Sequence, residues 1–139
     1  LYLKMLEDAL ASLSGDEKKE KKTVDIKLAI SAYISDDYIH EDRVRLELYR
    51  RLSRASDIQD VYKIEEEMED RFGKPDIFTK QFIELIIIKI LALNKGIQNI
   101  SSYEMNITFT KDDATKESIK SPSKDDDDII ATTLRYLRK

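Results

Sequence analysis

His40 is the only histidine, and Asp36, Asp37, Glu41 and Asp42 stand around it, so a metal site or a general acid–base pair is the first chemistry to consider. Neither finds its partners. There is no cysteine and no second histidine to complete a ligand set. No Gly-x-Ser-x-Gly elbow presents a nucleophile. The three glycines, Gly15, Gly73 and Gly96, read as helix stops rather than as a loop that cradles phosphate. Asp125 to Asp128 form a second acidic cluster, but without interleaved ligands they read as the acidic start of a helix. No catalytic residue, metal ligand or cofactor is assigned to this chain.

Five arginines, Arg43, Arg45, Arg50, Arg51 and Arg54, fall within residues 41–54 and would suit phosphate. The balance of the whole chain opposes that use. Lys+Arg 24 against Asp+Glu 28 leaves a net charge of -4, whereas nucleic-acid binding draws on a basic surplus that displaces counterions. Glu65, Glu66, Glu67 and Glu69 also offer counter-charges inside the molecule. A nucleic-acid-binding module built on the arginine-rich helix 41–54 is the alternative reading.

A third group, Glu67, Asp70 and Arg71, lies on the stretch from Ser56 to Gly73, which reads as one complete helix. Ser56 is placed to cap its first turn, Asp57 and Asp60 complement its positive end, and Gly73 supplies the residue that ends it. Ile58, Val61, Ile64, Met68 and Phe72 fall on one apolar stripe at about 100° per residue, and Glu67, Asp70 and Arg71 project from roughly the opposite side. That charged side is either a solvated surface with an intrahelical Glu67–Arg71 pair or a docking surface for another domain. Periodicity does not choose between them.

The elements that position these residues follow from the same patterns. Leu3, Leu6, Leu10 and Leu13 mark a first amphipathic helix, and residues 16–23, nearly all charged, are expected to be a mobile loop. Val24, Ile26, Leu28 and Ile30 alternate as a half-buried strand. Tyr33 and Tyr38 peg the loop that follows. Residues 41–54 form a helix with Val44, Leu48 and Leu52 inward, and residues 77–94, rich in isoleucine and without Gly or Pro, form a central buried helix. Tyr103, Met105, Ile107 and Phe109 alternate as a second strand, residues 111–124 read as a polar linker, and 125–139 as a terminal helix. The expected class is α+β: about five helices on a small, mostly antiparallel sheet, in a single compact domain of 139 residues.

The absence of cysteine suits a reducing, cytoplasmic setting. The longest apolar run, Leu85 to Leu93, is broken by Lys89 and is too short to span a bilayer, so no membrane partner is expected. The chain opens at Leu1 with a helical pattern already under way, so it is expected to be part of a longer polypeptide.

Two motifs carry a family likeness. Residues 32–39 read Ala-Tyr-Ile-Ser-Asp-Asp-Tyr-Ile and are followed by Arg45-Leu46-Glu47-Leu48-Tyr49-Arg50-Arg51-Leu52; residues 67–75 read Glu-Met-Glu-Asp-Arg-Phe-Gly-Lys-Pro. With the opening Leu1-Tyr2-Leu3-Lys4-Met5-Leu6-Glu7, the sequence through about Phe109 resembles the C-terminal domain of the bacterial transcription-repair coupling factors. It departs from them at Ser35 and His40, where proline is usual, and in a Gly73-to-Pro75 spacing one residue short.

The resemblance implies a regulatory, non-catalytic domain. Its parent would be an ATP- and magnesium-dependent DNA translocase that displaces stalled RNA polymerase at lesions and recruits nucleotide excision repair. The domain would dock on the N-terminal domain of the same parent chain, covering the surface that binds the excision-repair A subunit. It assigns the contact to Glu67, Asp70 and Arg71, with Phe72, Gly73, Tyr33 and Tyr38 as structural core.

Overall fold

The computed structural model of the chain describes residues 23–139. Along them run β1 (Asp25–Lys27), α1 (Asp42–Arg54), α2 (Ile58–Phe72), α3 (Ile77–Asn94), β2 (Ile97–Tyr103), β3 (Asn106–Lys111), β4 (Lys116–Lys120) and α4 (Asp126–Leu137). This is the expected α+β class. The described residues hold four of the roughly five helices expected; the first helix and most of the 16–23 loop lie outside them. The strands form one sheet in the order β1-β2-β3-β4. Only the β1–β2 pairing is parallel; β2–β3 and β3–β4 are antiparallel.

Residues 31–90 make one compact unit, and residues 23–30 with 91–139 make a second. In the first, α1 buries Leu48, Tyr49 and Leu52, and α2 buries Val61, Ile64 and Met68 at the spacing that brings side chains to one helix face. Tyr49 meets Phe82 edge-on at 4.9 Å between centroids, an arrangement that ring quadrupoles favour. The isoleucine-rich run is the expected helix. Phe82, Ile83, Leu85, Ile86, Ile87, Ile88 and Ile90 are all buried, which explains its apolarity on nearly every side. Its start is fixed by Asp76, whose carboxylate accepts from the Thr79 N–H at 2.9 Å.

The second unit holds the sheet and α4. Ile97, Ile100, Ile107 and Phe109 are buried from β2 and β3, and Ile129, Ile130 and Leu137 from α4. Phe109 stacks on Tyr136 with centroids 3.9 Å apart. Gly96, at φ +71°, lies between α3 and β2 and donates its N–H to Leu93.

Three expectations are corrected here. The first strand spans Asp25–Lys27 rather than running to Ile30; the chain then bends, and the Ile30 N–H turns back to the Leu28 carbonyl at 2.9 Å. The alternation from Tyr103 to Phe109 is not one strand but crosses a hairpin. Tyr103 pairs with Asn106 around a two-residue turn in which Glu104 takes φ +54°. The supposed linker 111–124 contains β4, in register with β3 from Asn106↔Lys120 to Thr110↔Lys116. Its residues are exposed except for a half-buried Ile119, so burial wrote no pattern into the sequence. Among the described residues no helix is long and apolar enough to cross a membrane.

Candidate functional site

Helix α2 starts one residue later than the capping argument placed it. Asp57, not Ser56, is the cap, and its side chain accepts from the Gln59 N–H at 2.9 Å. Gly73 closes the helix at φ +85° with its N–H on the Glu69 carbonyl at 2.9 Å. No heavy atom lies within 4 Å of where a Cβ would stand at Gly73, so the glycine is required by its backbone angle and not by crowding.

The charged side of α2 divides in two. Asp70 and Arg71 are exposed, while Glu67 is half-buried and bound from the neighbouring helix. Arg51 of α1 donates Nη1 to Glu67 Oε2 at 2.6 Å and Nη2 to Oε1 at 3.0 Å. This two-pronged geometry is the strong form of an arginine–carboxylate pair. The Arg51 hydrogen bonds hold the Glu67 carboxyl below the usual glutamate value, and in return Glu67 raises the Arg51 guanidinium. The expected Glu67–Arg71 pair is present as an i,i+4 ion pair at 3.7 Å, too long for a hydrogen bond. Arg71 also lies over the Phe72 ring at 4.8 Å, a favourable cation–π placement.

A second carboxylate of α2 is tied to its other neighbour. Lys80 of α3 donates to Glu65 at 2.6 Å; burial alone would lower the lysine pKa, but that bond together with the charges of Glu65, Glu84 and Glu69 raises it. The acidic residues of α2 therefore do supply counter-charges inside the molecule. Arg45 is also occupied, by the carbonyls of Ile39 and His40 and by the Asp42 carboxylate. The phosphate reading thus loses Arg45 and Arg51 from its set.

Tyr33, Tyr38, Phe72 and Gly73 were expected as core, and the structure places them at its rim: the three aromatics are half-buried and Gly73 is exposed. Tyr33 stacks on Phe78 at 5.0 Å. Tyr38 meets Phe72 edge-on at 5.9 Å, and its hydroxyl donates to the Gly73 carbonyl at 2.6 Å and the Met68 carbonyl at 3.3 Å. Burial, followed by the nearby charge of Glu69, pushes the Tyr38 phenol up to about 12. Tyr38, Phe72 and Gly73 fasten the C-terminal end of α2, where the charged group sits.

The other candidates are separate from this face. His40 is exposed and joins no cluster of three possible metal ligands; among the described residues only Asp125, Asp127 and Asp128 come close enough together. Their surroundings suit a helix start: Asp125 is the N-cap residue, Ser123 Oγ donates to Asp128 at 2.7 Å, and the Asp128 N–H donates to Asp127 at 3.0 Å. Sequence reasoning missed Arg51 as the particular partner of Glu67. Its signal was its position next to the Leu48–Leu52 stripe, at the edge of the face that α1 turns inward.

The TRCF domain family matches residues 28–121 of the chain, which include every residue of this face. The chain belongs to the TRCF domain family. Similar TRCF proteins include the transcription-repair-coupling factors of two Helicobacter pylori strains, J99 and 26695. They are 49% identical over 137 and 138 residues, which is 99% of this chain in both cases. That of Rickettsia prowazekii is 33% identical over 73% of the chain. The chain spans 14% of the length of the two Helicobacter relatives and 9% of the Rickettsia one. In fold it is similar to the crystal structure of a transcription-repair coupling factor C-terminal domain. The TM-score is 0.61 at 22% identity, over 67% of this chain and 59% of that one.

Proposed function

We propose that this TRCF domain is the regulatory, non-catalytic C-terminal part of an ATP-dependent DNA translocase, one that displaces RNA polymerase stalled at lesions and recruits nucleotide excision repair in the cytoplasm. It holds the parent autoinhibited by docking on the N-terminal domain, covering the surface that binds the excision-repair A subunit. The observation that carries this reading is the exposed Asp70–Arg71 pair beside Glu67, held on a helix whose end is fixed by Tyr38 and Gly73. A rigid element bearing exposed charges of both signs suits a contact that must form and release. A large apolar interface would lock the parent shut.

The contact uses no chemistry beyond charge and shape. Arg71 pairs with an acidic group on the partner domain and Asp70 with a basic one, so docking weakens with salt. ATP and magnesium belong to the parent's motor domains. Replacing Glu67, Asp70 and Arg71 together by alanine in the full-length protein should leave the domain folded while raising affinity for the excision-repair A subunit and the ATPase rate. Unchanged binding and turnover would remove the reading.

A further inference from the structure

Glu67 stands between two arginines, paired with both but hydrogen-bonded to Arg51. Arg51 takes both of its oxygens, at 2.6 and 3.0 Å, while Arg71 waits at 3.7 Å on the same helix. A shift of about 1 Å would bring Arg71 into hydrogen-bond range, and an i,i+4 glutamate–arginine pair is a favourable one. The two-pronged Arg51 contact is the stronger of the two.

Resting on the docking reading above, we infer that Arg51 is a positioning residue of the docking face: by holding Glu67 against α1 it keeps the Glu67–Arg71 ion pair too long for a hydrogen bond, and so leaves the Arg71 N–H donors for an acidic side chain of the partner domain. Asp70 and Arg71 then meet the partner directly, and Glu67 acts through its choice of arginine. The side-chain exposures agree with this division: Arg51 is 36% exposed, Glu67 42% and Arg71 46%, so all three are solvent-reachable and none is locked by burial.

Four variants of the full-length protein test this, each read by affinity for the excision-repair A subunit, by ATPase rate and by thermal midpoint. Arg51→Ala should raise affinity and turnover about fivefold, the low end of couplings between sites, with little change in midpoint. Arg51→Lys, which cannot grip both oxygens, should fall between it and the wild type. Adding Glu67→Ala to Arg51→Ala should return both readouts towards the wild type, because nothing is left to quench Arg71. A role confined to stability would not be rescued in this way. Asp70→Ala with Arg71→Ala tests the docking reading by itself.

If that last pair opens the parent and Arg51→Ala does not, the inference falls and the docking reading stands. If the Arg51/Glu67 double variant is as open as Arg51→Ala alone, the inference also falls. If the Asp70/Arg71 pair changes nothing, both fall. Should Arg51→Ala fail to fold, Glu67→Gln decides: docking kept or strengthened supports the inference, and a parent opened as fully as by the Asp70/Arg71 pair overturns it.

Discussion

The helices of residues 31–90 and the sheet with α4 are held together by different means. In the first, charged side chains bridge neighbouring elements, Arg51 to Glu67 and Lys80 to Glu65, over buried aliphatic stripes. In the second, backbone ladders join β2, β3 and β4, and Phe109 packs on Tyr136. The lateral ties of the helical unit therefore respond to pH and salt, whereas the backbone ladders of the sheet carry no net charge and the Phe109–Tyr136 packing responds to loss of apolar volume. A surface that must let go of a partner is better placed on the first kind of scaffold, where the energies are small and tunable.

Truncating the two cores gives the largest expected effect and should not distinguish them. Phe82 is 1% exposed and Phe109 0%, so Phe82→Ala and Phe109→Ala should each cost about 3 to 5 kcal/mol. Urea unfolding checks this, and a much smaller loss at one site would show that region to be poorly packed. Phe72→Ala should cost less, about 1 to 2 kcal/mol, because the ring is only half-buried; an equal loss would make the rim of α2 part of the core after all.

The smallest effect separates the two kinds of tie. Arg51 and Glu67 are more than a third exposed on their side chains, and solvent screening limits such a pair to a few tenths of a kcal/mol up to about 1. The Glu67 carboxyl lies below its ordinary 4.5 in the folded state. Its contribution is therefore full above that value and is lost as pH falls through the lower, folded one. The difference in urea midpoint between wild type and Arg51→Ala should be measurable at pH 7 and shrink as the pH is lowered below the ordinary glutamate range, while the Phe109→Ala difference persists wherever the fold does. A loss of the Arg51 difference on raising the pH instead would contradict the assignment.

Much of the helical unit was legible from residue types. The stripe of Val61, Ile64 and Met68, the stop at Gly73 and the long isoleucine helix all follow from periodicity and chain stiffness. The cap shifted by one residue because Ser56 and Asp57 are both good caps, and only coordinates separate them.

The sheet was harder for physical reasons. In β2 the pairing slips between Ile97 and Asn99, so the buried residues Ile97 and Ile100 stand three apart and period two is lost. In β4 only Ile119 is even half-buried, so the strand carries no apolar code. Of the candidate site, the outward direction of Asp70 and Arg71 was readable from helical geometry. The choice of Glu67 between two arginines was not, since it depends on which helix lies alongside.

Tyr38 fastens the end of α2 without charge. Its phenol, raised to about 12, stays protonated at every pH at which a cell operates, and it grips two carbonyl oxygens with an uncharged donor. Raising ionic strength screens Arg71 and Asp70 from a partner farther away than a Debye length, about 10 Å at 0.1 M, but it leaves this hydroxyl untouched. The hinge pin and the magnet are thus made of different materials: brine can demagnetise the catch while the plate it is mounted on keeps its shape, ready to close again when the salt is diluted.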